Sequence, residues 1–264
     1  MIRFATLASG SSGNCTAVWN EEGLLLIDLG ISCRRIVNSL GELGFSASDV
    51  SSVLVTHEHI DHISGLKVFC SHYDTELCCT RSTMLYLGDN GMVQPFQKFR
   101  EITHGEAFSA GGFTVRPFPT SHDSRTCTGF RLERGGSAVA VLTDVGRIDD
   151  GIRENLRGCG IVAIESNYDE LMLKNGVYPP SLKARIMSPQ GHLSNSECAR
   201  EVARLVAEED VRQIVLMHLS DKNNTPRMAL VSSVAAIEDE GIQEDSYRIL
   251  AAPRNDLSEV LSLD

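Results

Sequence analysis

The chain has 264 residues, 42% of them hydrophobic, enough for one large or two small domains with a real core. A formal net charge of -11 excludes a surface that is basic throughout, so a polyanionic substrate must be met by a local patch or by metal ions. No apolar stretch approaches the roughly 20 residues that span a bilayer, and the opening MIRFATLASGSSGN has neither a long apolar run nor a basic lead, so a cytoplasmic protein without membrane contact is expected.

In chain order, strands are expected over Ile2 to Ala8, Thr16 to Trp19 and Leu24 to Leu29, then a helix from about Cys33 to Leu43 and a strand from Ser52 to Thr56. A helix from about Asp61 to His72 follows, then a strand from Glu76 to Cys79 and a short helix from Ser82 to Leu87. Further strands are expected near Glu101, over Phe113 to Pro117 and over Gly129 to Glu133. The stretch ERGG reads as a hairpin turn, because its paired glycines tolerate positive φ, and it feeds a strand from Ala138 to Thr143. The last third alternates: helix Asp149 to Leu156, strand Ile161 to Glu165, helix Ser194 to Glu208, strand Gln213 to Met217, helix Pro226 to Glu238, strand Tyr247 to Ala251. Strands with helices interspersed in both halves fit an α+β fold of two sheets packed face to face with helices outside, a four-layer αββα sandwich. The chain shows no repeat, low-complexity tract or long linker, so one continuous domain over residues 1–264 is expected. The eight cysteines are scattered without a CxxC pair and read as reduced thiols.

Eight histidines carry most of the functional signal: His57, His59, His62, His72, His104, His122, His192 and His218. In THEHIDH, His57 and His59 alternate on extended backbone and can point the same way, while Asp61 and His62 open a helix and turn toward a neighbouring position. That spacing suits two adjacent metal centres, one taking His57 and His59 and the other Asp61 and His62. Asp61 as a plain helix cap with solvated histidines is the bland alternative. His122 in PTSHDSRT, Asp144 in AVLTDVG and His218 in IVLMHLS each stand where an extended apolar run ends, and together they complete two sites that share one bridging carboxylate.

This arrangement, HxHxDH followed by a later histidine, an aspartate and a final histidine, resembles the metallo-β-lactamase superfamily over nearly the whole chain. The resemblance implies a metallo-β-lactamase fold in which His57, His59 and His122 hold one metal, Asp61, His62 and His218 the other, and Asp144 bridges them. It also implies that Asp28, in LLLIDLG, orients the metal-binding loop from behind the ligands, where a simple helix cap near Ile31 is the alternative. ASGSSGN (8–14), ESN (165–167), SPQGHLSN (188–195) and MHLSDKNNTP (217–226) closely resemble the YycJ/WalJ group of bacterial proteins, described as 5′-to-3′ DNA exonucleases. GHLSN and MHLS also resemble motifs of the β-CASP nucleases, but the chain has no room for the inserted β-CASP domain. By the same analogy Glu165 hydrogen-bonds His218, and His192 meets a phosphate oxygen without binding metal. His72 and His104 match nothing in the pattern and read as structural.

The implied activity is a phosphodiesterase or nuclease dependent on two divalent ions, zinc or manganese with iron possible, acting on a nucleic acid, DNA by resemblance. Water between the ions would lose a proton near neutral pH and attack phosphorus, with Asp61 orienting it and His192 stabilising the phosphoryl oxygens or the leaving group. Ser11, Ser12 and Asn14 of SGSSGN are candidate phosphate donors, and Lys183 and Arg185, near His192 in sequence, are candidate contacts to the strand's phosphates. The competing readings are a thioester hydrolase acting on a glutathione conjugate, or a hydrolase of small phosphodiesters, on the same fold. A β-lactamase, a flavodiiron oxidoreductase and a non-catalytic scaffold fit the residues less well.

Overall fold

Most strand-like runs of this chain are apolar at both odd and even positions, which suits a sheet covered on both faces. The computed structural model, which describes residues 1–209 and 211–264, forms two such sheets. The first half supplies β1 (Ile2–Ala8), β2 (Cys15–Trp19), β3 (Leu24–Ile27), β4 (Val50–Leu54), β5 (Glu76–Cys79) and β6 (Phe99–Glu101). The second supplies β7 (Phe108–Ala110), β8 (Phe113–Pro119), β9 (Thr128–Arg134), β10 (Ser137–Leu142), β11 (Ile161–Glu165), β12 (Gln213–Met217) and β13 (Arg248–Ala251), and β14 (Leu261–Leu263) returns to the first sheet. The strand orders are β14-β1-β2-β3-β4-β5-β6 and β13-β12-β11-β10-β9-β8-β7. Each sheet is antiparallel on one side and parallel on the other, with β3 to β6 parallel in the first and β10 to β13 parallel in the second.

Side chains alternate across each strand and so divide the core into three layers. In β3, Leu25 and Ile27 face the second sheet while Leu24 and Leu26 face outward; in β12, Val215 and Met217 face the first sheet while Ile214 and Leu216 face outward. The helices are α1 (Cys33–Glu42), α2 (Ile60–Ile63), α3 (Leu66–His72), α4 (Arg81–Asp89), α5 (Asp150–Leu156), α6 (Glu170–Asn175), α7 (Pro180–Ile186), α8 (Asn195–Glu208) and α9 (Pro226–Asp239). Ile36, Leu40, Phe69 and Leu87 seal the outer face of the first sheet from α1, α3 and α4, and Ile152, Val202, Leu205 and Ile237 seal the second from α5, α8 and α9. The result is the expected α+β sandwich with helices outside.

Several boundaries differ from expectation for identifiable reasons. The helix read from Asp61 to His72 is two helices, α2 and α3, broken at Ser64 and Gly65. A Cβ at Gly65 would lie 2.0 Å from the Ile31 carbonyl oxygen, so the backbone passes there only as glycine. The strand read as Leu24 to Leu29 stops at Ile27 because Asp28 takes φ 62°, and the one read as Ser52 to Thr56 is β4, displaced toward the N-terminus. The three-residue strands β7 and β14 and the short helices α6 and α7 carry too few residues to show a period. Helix α6 is started by the Asp169 side chain accepting from Met172 N, and α7 by Pro180 in its first turn.

A second close approach fixes the site. A Cβ at Gly30 would fall 1.7 Å from the Asp61 carbonyl oxygen and 2.6 Å from Asn14 N, both backbone atoms that cannot step aside. Gly30→Ala is expected to destabilise the protein by about 1–3 kcal/mol, a fall in Tm of roughly 2–12 °C. Calorimetric melting checks this, and an unchanged Tm would contradict the tight apposition of the two loops.

Candidate metal centre

The parallel strands run toward one edge of the sandwich, and the signal-bearing residues stand just past their ends. Among the described residues, three non-glycine positions have φ in the left-handed region: Asp28 (62°), Asp144 (56°) and His218 (55°). They follow β3, β10 and β12, and each is succeeded by a buried aliphatic residue, Leu29, Val145 and Leu219. The left-handed residue stops the strand and turns its own side chain toward the site, Asp144 and His218 into the cleft and Asp28 onto His62 from behind, while the next residue goes back into the core. This conformation costs on the order of 1–2 kcal/mol per residue, so it persists only where the surroundings impose it. They do: Asp28 N donates to Leu54 O at 2.9 Å, Val145 N to Glu165 Oε2 at 3.0 Å and His218 N to Ser9 Oγ at 2.9 Å. The shared local pattern, IDLG, TDVG and MHLS, is a signal that periodicity alone does not reveal.

Two ligand sets form there. His57, His59 and His122 bring donor atoms within 4.8 Å of one another, as do Asp61, His62 and His218, and His57, His62 and Asp144 link the two. Hydrogen bonds at Nδ1 aim the rings. His62 Nδ1 lies 2.7 Å from Asp28 Oδ2, His57 Nδ1 3.0 Å from Thr56 Oγ1, His122 Nδ1 3.0 Å from Gly191 O and His218 Nδ1 2.7 Å from Glu165 Oε1. With Nδ1–H donated in this way, Nε2 is the atom left to take a cation once it carries no proton. Asp144 stands between the sets, with Oδ2 3.0 Å from His62 Nε2 and Oδ1 3.5 Å from His122 Nε2 and 3.8 Å from His218 Nε2. His57 Nε2 is buried without a hydrogen-bond partner. An orphaned nitrogen of this kind costs about 1–3 kcal/mol, which makes sense if a cation takes the lone pair. Imidazoles and carboxylates in two sets of three with a shared carboxylate fit two divalent ions.

The electrostatics agree with that fit. Burial works against a charged His62, yet Asp144 and Asp28 together lift its pKa well above the usual value. For His218, burial is again outweighed, by Asp144, Asp61 and Glu165, and the imidazole is raised to about 10. His57 goes the other way: burial and the neighbouring His62 push it well below the ordinary range, so it is a neutral donor. Glu165 is held down at about 2, its own burial overcome by His192 and His218.

The remaining expected residues are distributed unequally. Asp28 is not a helix cap, since Ser32 caps α1; its carboxylate takes Thr56 N and Thr56 Oγ1, both at 2.8 Å, as well as His62. His192 lines the cleft and gives Nδ1 to Glu165 Oε1 at 2.8 Å. Ser11 also lines it, but Ser12 does not, and Asn14 is buried, its Nδ2 donating to Gly10 O at 3.1 Å and lying 3.2 Å from His62 Nε2. Arg185 reaches the cleft but is ion-paired with Asp123, and Lys183 turns away, its Nζ donating to the carbonyls of Lys174 at 2.8 Å and Gly176 at 2.7 Å. His72 bonds within α3 and His104 contacts Thr128 Oγ1 at 2.9 Å, outside the cluster. Sequence reasoning missed Thr56, which links Asp28 to His57, and Asn167, whose Nδ2 donates to His218 O at 2.8 Å. It also missed Glu58, whose Oε1 accepts from Arg125 N at 2.8 Å and ties the loop bearing His122 to the metal-binding segment. Thr56 and Glu58 were signalled only by their position beside His57, and Asn167 only by its place in the ESN motif.

A sandwich of two mixed sheets carrying this His/Asp cluster at one edge defines the class of metal-dependent hydrolases with the metallo-β-lactamase fold. The profile described as the β-lactamase superfamily domain matches residues 25–219, and the chain belongs to the metallo-β-lactamase superfamily. It is 34% identical over 243 residues to exodeoxyribonuclease YycJ of Bacillus anthracis, covering 91% of this chain and 90% of that one. It is 33% identical over 239 residues to exodeoxyribonuclease WalJ of Streptococcus pneumoniae, covering 88% and 87%. Among solved structures, the metallo-β-lactamase fold protein YhfI from Bacillus subtilis superposes with a TM-score of 0.74 at 15% identity over 98% of this chain and 100% of that one.

Because the carboxylates hold protons on His62 and His218, ions entering the site must displace them, so metal affinity rises with pH toward the His218 value of about 10 and falls on acidification. Titration of chelator-treated protein with zinc at pH 7.5, in buffers of different ionisation enthalpy, should show about two protons released as two ions bind. Uptake without proton release would contradict the assignment.

Proposed function

We propose that this hydrolase is a nucleic-acid phosphodiesterase, a DNA exonuclease of 5′-to-3′ direction that works with zinc or manganese. The observation that carries the reading is the completeness of two adjacent ligand sets with Asp144 between them. His57, His59 and His122 would hold one ion and Asp61, His62 and His218 the other. Bound there, two divalent ions supply Lewis acidity to the attacking and leaving oxygens of an in-line displacement at phosphorus and lower the pKa of water. Two relatives matched along about nine-tenths of the chain are named exodeoxyribonucleases, which supports DNA as the substrate.

The chain's own residues then divide the work. Asp61 is the more exposed of the two ligand carboxylates, 20% against 2% for Asp144, and the neighbouring His218 and His62 hold its carboxyl well below the usual carboxylate range despite its burial. It orients the attacking water by accepting its hydrogen bond at a carboxylate oxygen. His192, with Nδ1 given to Glu165, presents Nε2 to the cleft, and Glu165 raises its pKa against the pull of burial. A protonated Nε2 donates to a phosphate oxygen or to the departing oxygen. Across the cleft, of about 380 Å³, Tyr178, Leu182 and Ile186 make an apolar wall. A nucleotide has both parts this site requires, a phosphate for the polar side and a ring for the wall, and stacking on an aromatic side chain is worth about 1–3 kcal/mol per base.

The test is purified protein with manganese or zinc against 5′-labelled single-stranded and duplex DNA, RNA and S-lactoylglutathione, with Asp61→Ala as the control for contaminating nuclease. DNA should be shortened from its 5′ end. His192→Ala should retain both ions and lower kcat by roughly 10²–10⁴-fold. Rapid thioester turnover with every nucleic acid intact would replace this reading.

A further inference from the structure

A net charge of -11 poses the question of how this chain grips a polyanion beyond the reacting phosphate. The expected cations, Lys183 and Arg185, are engaged with backbone carbonyls and with Asp123. A different set gathers next to the metal centre. A groove of about 310 Å³ is lined by Arg147 after β10, Arg153 on α5 and Arg200 and Arg204 on α8, together with Glu197 and Glu201.

Of the acidic residues of this groove, Glu201 is ion-paired and Glu197 is held in a helix cap. Glu201, buried, takes Arg153 Nε at 3.0 Å and Arg204 Nη2 at 2.8 Å, and Arg204 also reaches Glu208 at 3.3 Å and Glu209 at 3.2 Å. Glu197 closes the capping box of α8, accepting from Ser194 N at 3.2 Å and Ser194 Oγ at 2.8 Å. Arg147 and Arg200 are exposed, and among the described residues neither has an acidic partner. Arg153 and Arg204 are thus ion-paired, and Arg147 and Arg200 line the same groove without an acidic partner among the described residues.

The groove adjoins the reaction site. Arg147 is three residues from Asp144, a reach of at most about 10 Å, and Leu193 of the groove follows His192 of the cleft. Gly146 N donates to Ser121 O at 2.7 Å, tying this segment to the residue before His122.

We propose that this arginine groove is a second phosphate-binding site, which holds the backbone of the nucleic acid beyond the scissile bond. The proposal rests on the phosphodiesterase reading above. Guanidinium suits the task because it is always charged and offers a planar fork of donors to phosphate oxygens. Such contacts give affinity and register without reading sequence.

The test compares the parent with Arg147→Ala/Arg200→Ala. Both residues are surface cations outside the metal cluster, so melting temperature and hydrolysis of bis-p-nitrophenyl phosphate should be unchanged. On a 20-nucleotide 5′-labelled DNA the variant should raise KM by roughly tenfold or more, and its log–log salt slope should be shallower by about 1.4 for single strands or 1.8 for duplex. A dinucleotide, too short to reach the groove, should show no change. Arg147→Lys/Arg200→Lys should restore most of the salt slope but only part of the KM. If the oligonucleotide is cleaved with unchanged KM and salt slope, the groove does not bind the backbone. If poly-glutamate binds the parent and not the variant while both bind DNA equally well, the groove belongs to an acidic protein partner. If the parent hydrolyses no oligonucleotide at all, the phosphodiesterase reading fails and takes this one with it.

Discussion

Asp28, Asp144 and Glu165 are buried carboxylates crowded at one edge of the sandwich. Buried negative charge of this density is tolerated only when it is paired, hydrogen-bonded or bound to cations. Asp28 meets that demand through His62 and Thr56, and Glu165 through His192, His218 and two N–H groups, whereas Asp144, beside His62 and His122, keeps Oδ2 buried without a hydrogen bond. His62, His192 and His218 are thus oriented by the charges behind them, and His57 and His122 by the Thr56 hydroxyl and the Gly191 carbonyl. The left-handed turns at Asp28, Asp144 and His218 are the backbone cost of placing the groups there.

The two sheets repeat one plan, antiparallel on one flank and parallel on the other, and the cleft lies where the parallel flanks end together. His57, His59, Asp61 and His62 come from the first sheet's side, and His122, Asp144 and His218 from the second's. Neither half holds a complete ligand set alone. The packing of Leu25, Ile27 and Leu54 against Val139, Val141, Val215 and Met217 therefore governs function as well as stability, because it fixes the distance between the two groups of donors. Close backbone contacts, such as Gly30 against Asp61, carry that registration into the loops.

The charge distribution follows the same logic on a larger scale. Net charge describes what a protein meets at long range, whereas catalysis on a phosphodiester needs positive charge within a few ångströms of the reacting atoms. A chain of net charge -11 can supply this with cations seated among carboxylates and with arginines whose acidic neighbours are otherwise occupied. The Arg185–Asp123 pair shows the converse, a cation at the cleft whose charge is locally cancelled.

Much of this was legible in the residues. HxHxDH, the solitary acids and histidines at the ends of apolar strands, and the alternation of strand and helix signals pointed to the sandwich and to the groups that converge, because ligand chemistry permits few residue types and strand burial shows directly as hydrophobic runs. The contacts of Lys183, Arg185, Arg147 and Arg200 were not legible. A surface cation's partner is set by which loops the fold brings beside it: Lys183 lies nine positions from His192 yet binds carbonyls, while Arg200, on another helix, shares a groove with Arg147. The same holds for the break at Gly65 and the turn at Asp28, where the deciding atom belongs to a segment distant in the chain. Sequence alone determined the chemistry this protein can assemble; the tertiary structure decided which charges remain free to use, because pairing depends on distance through space.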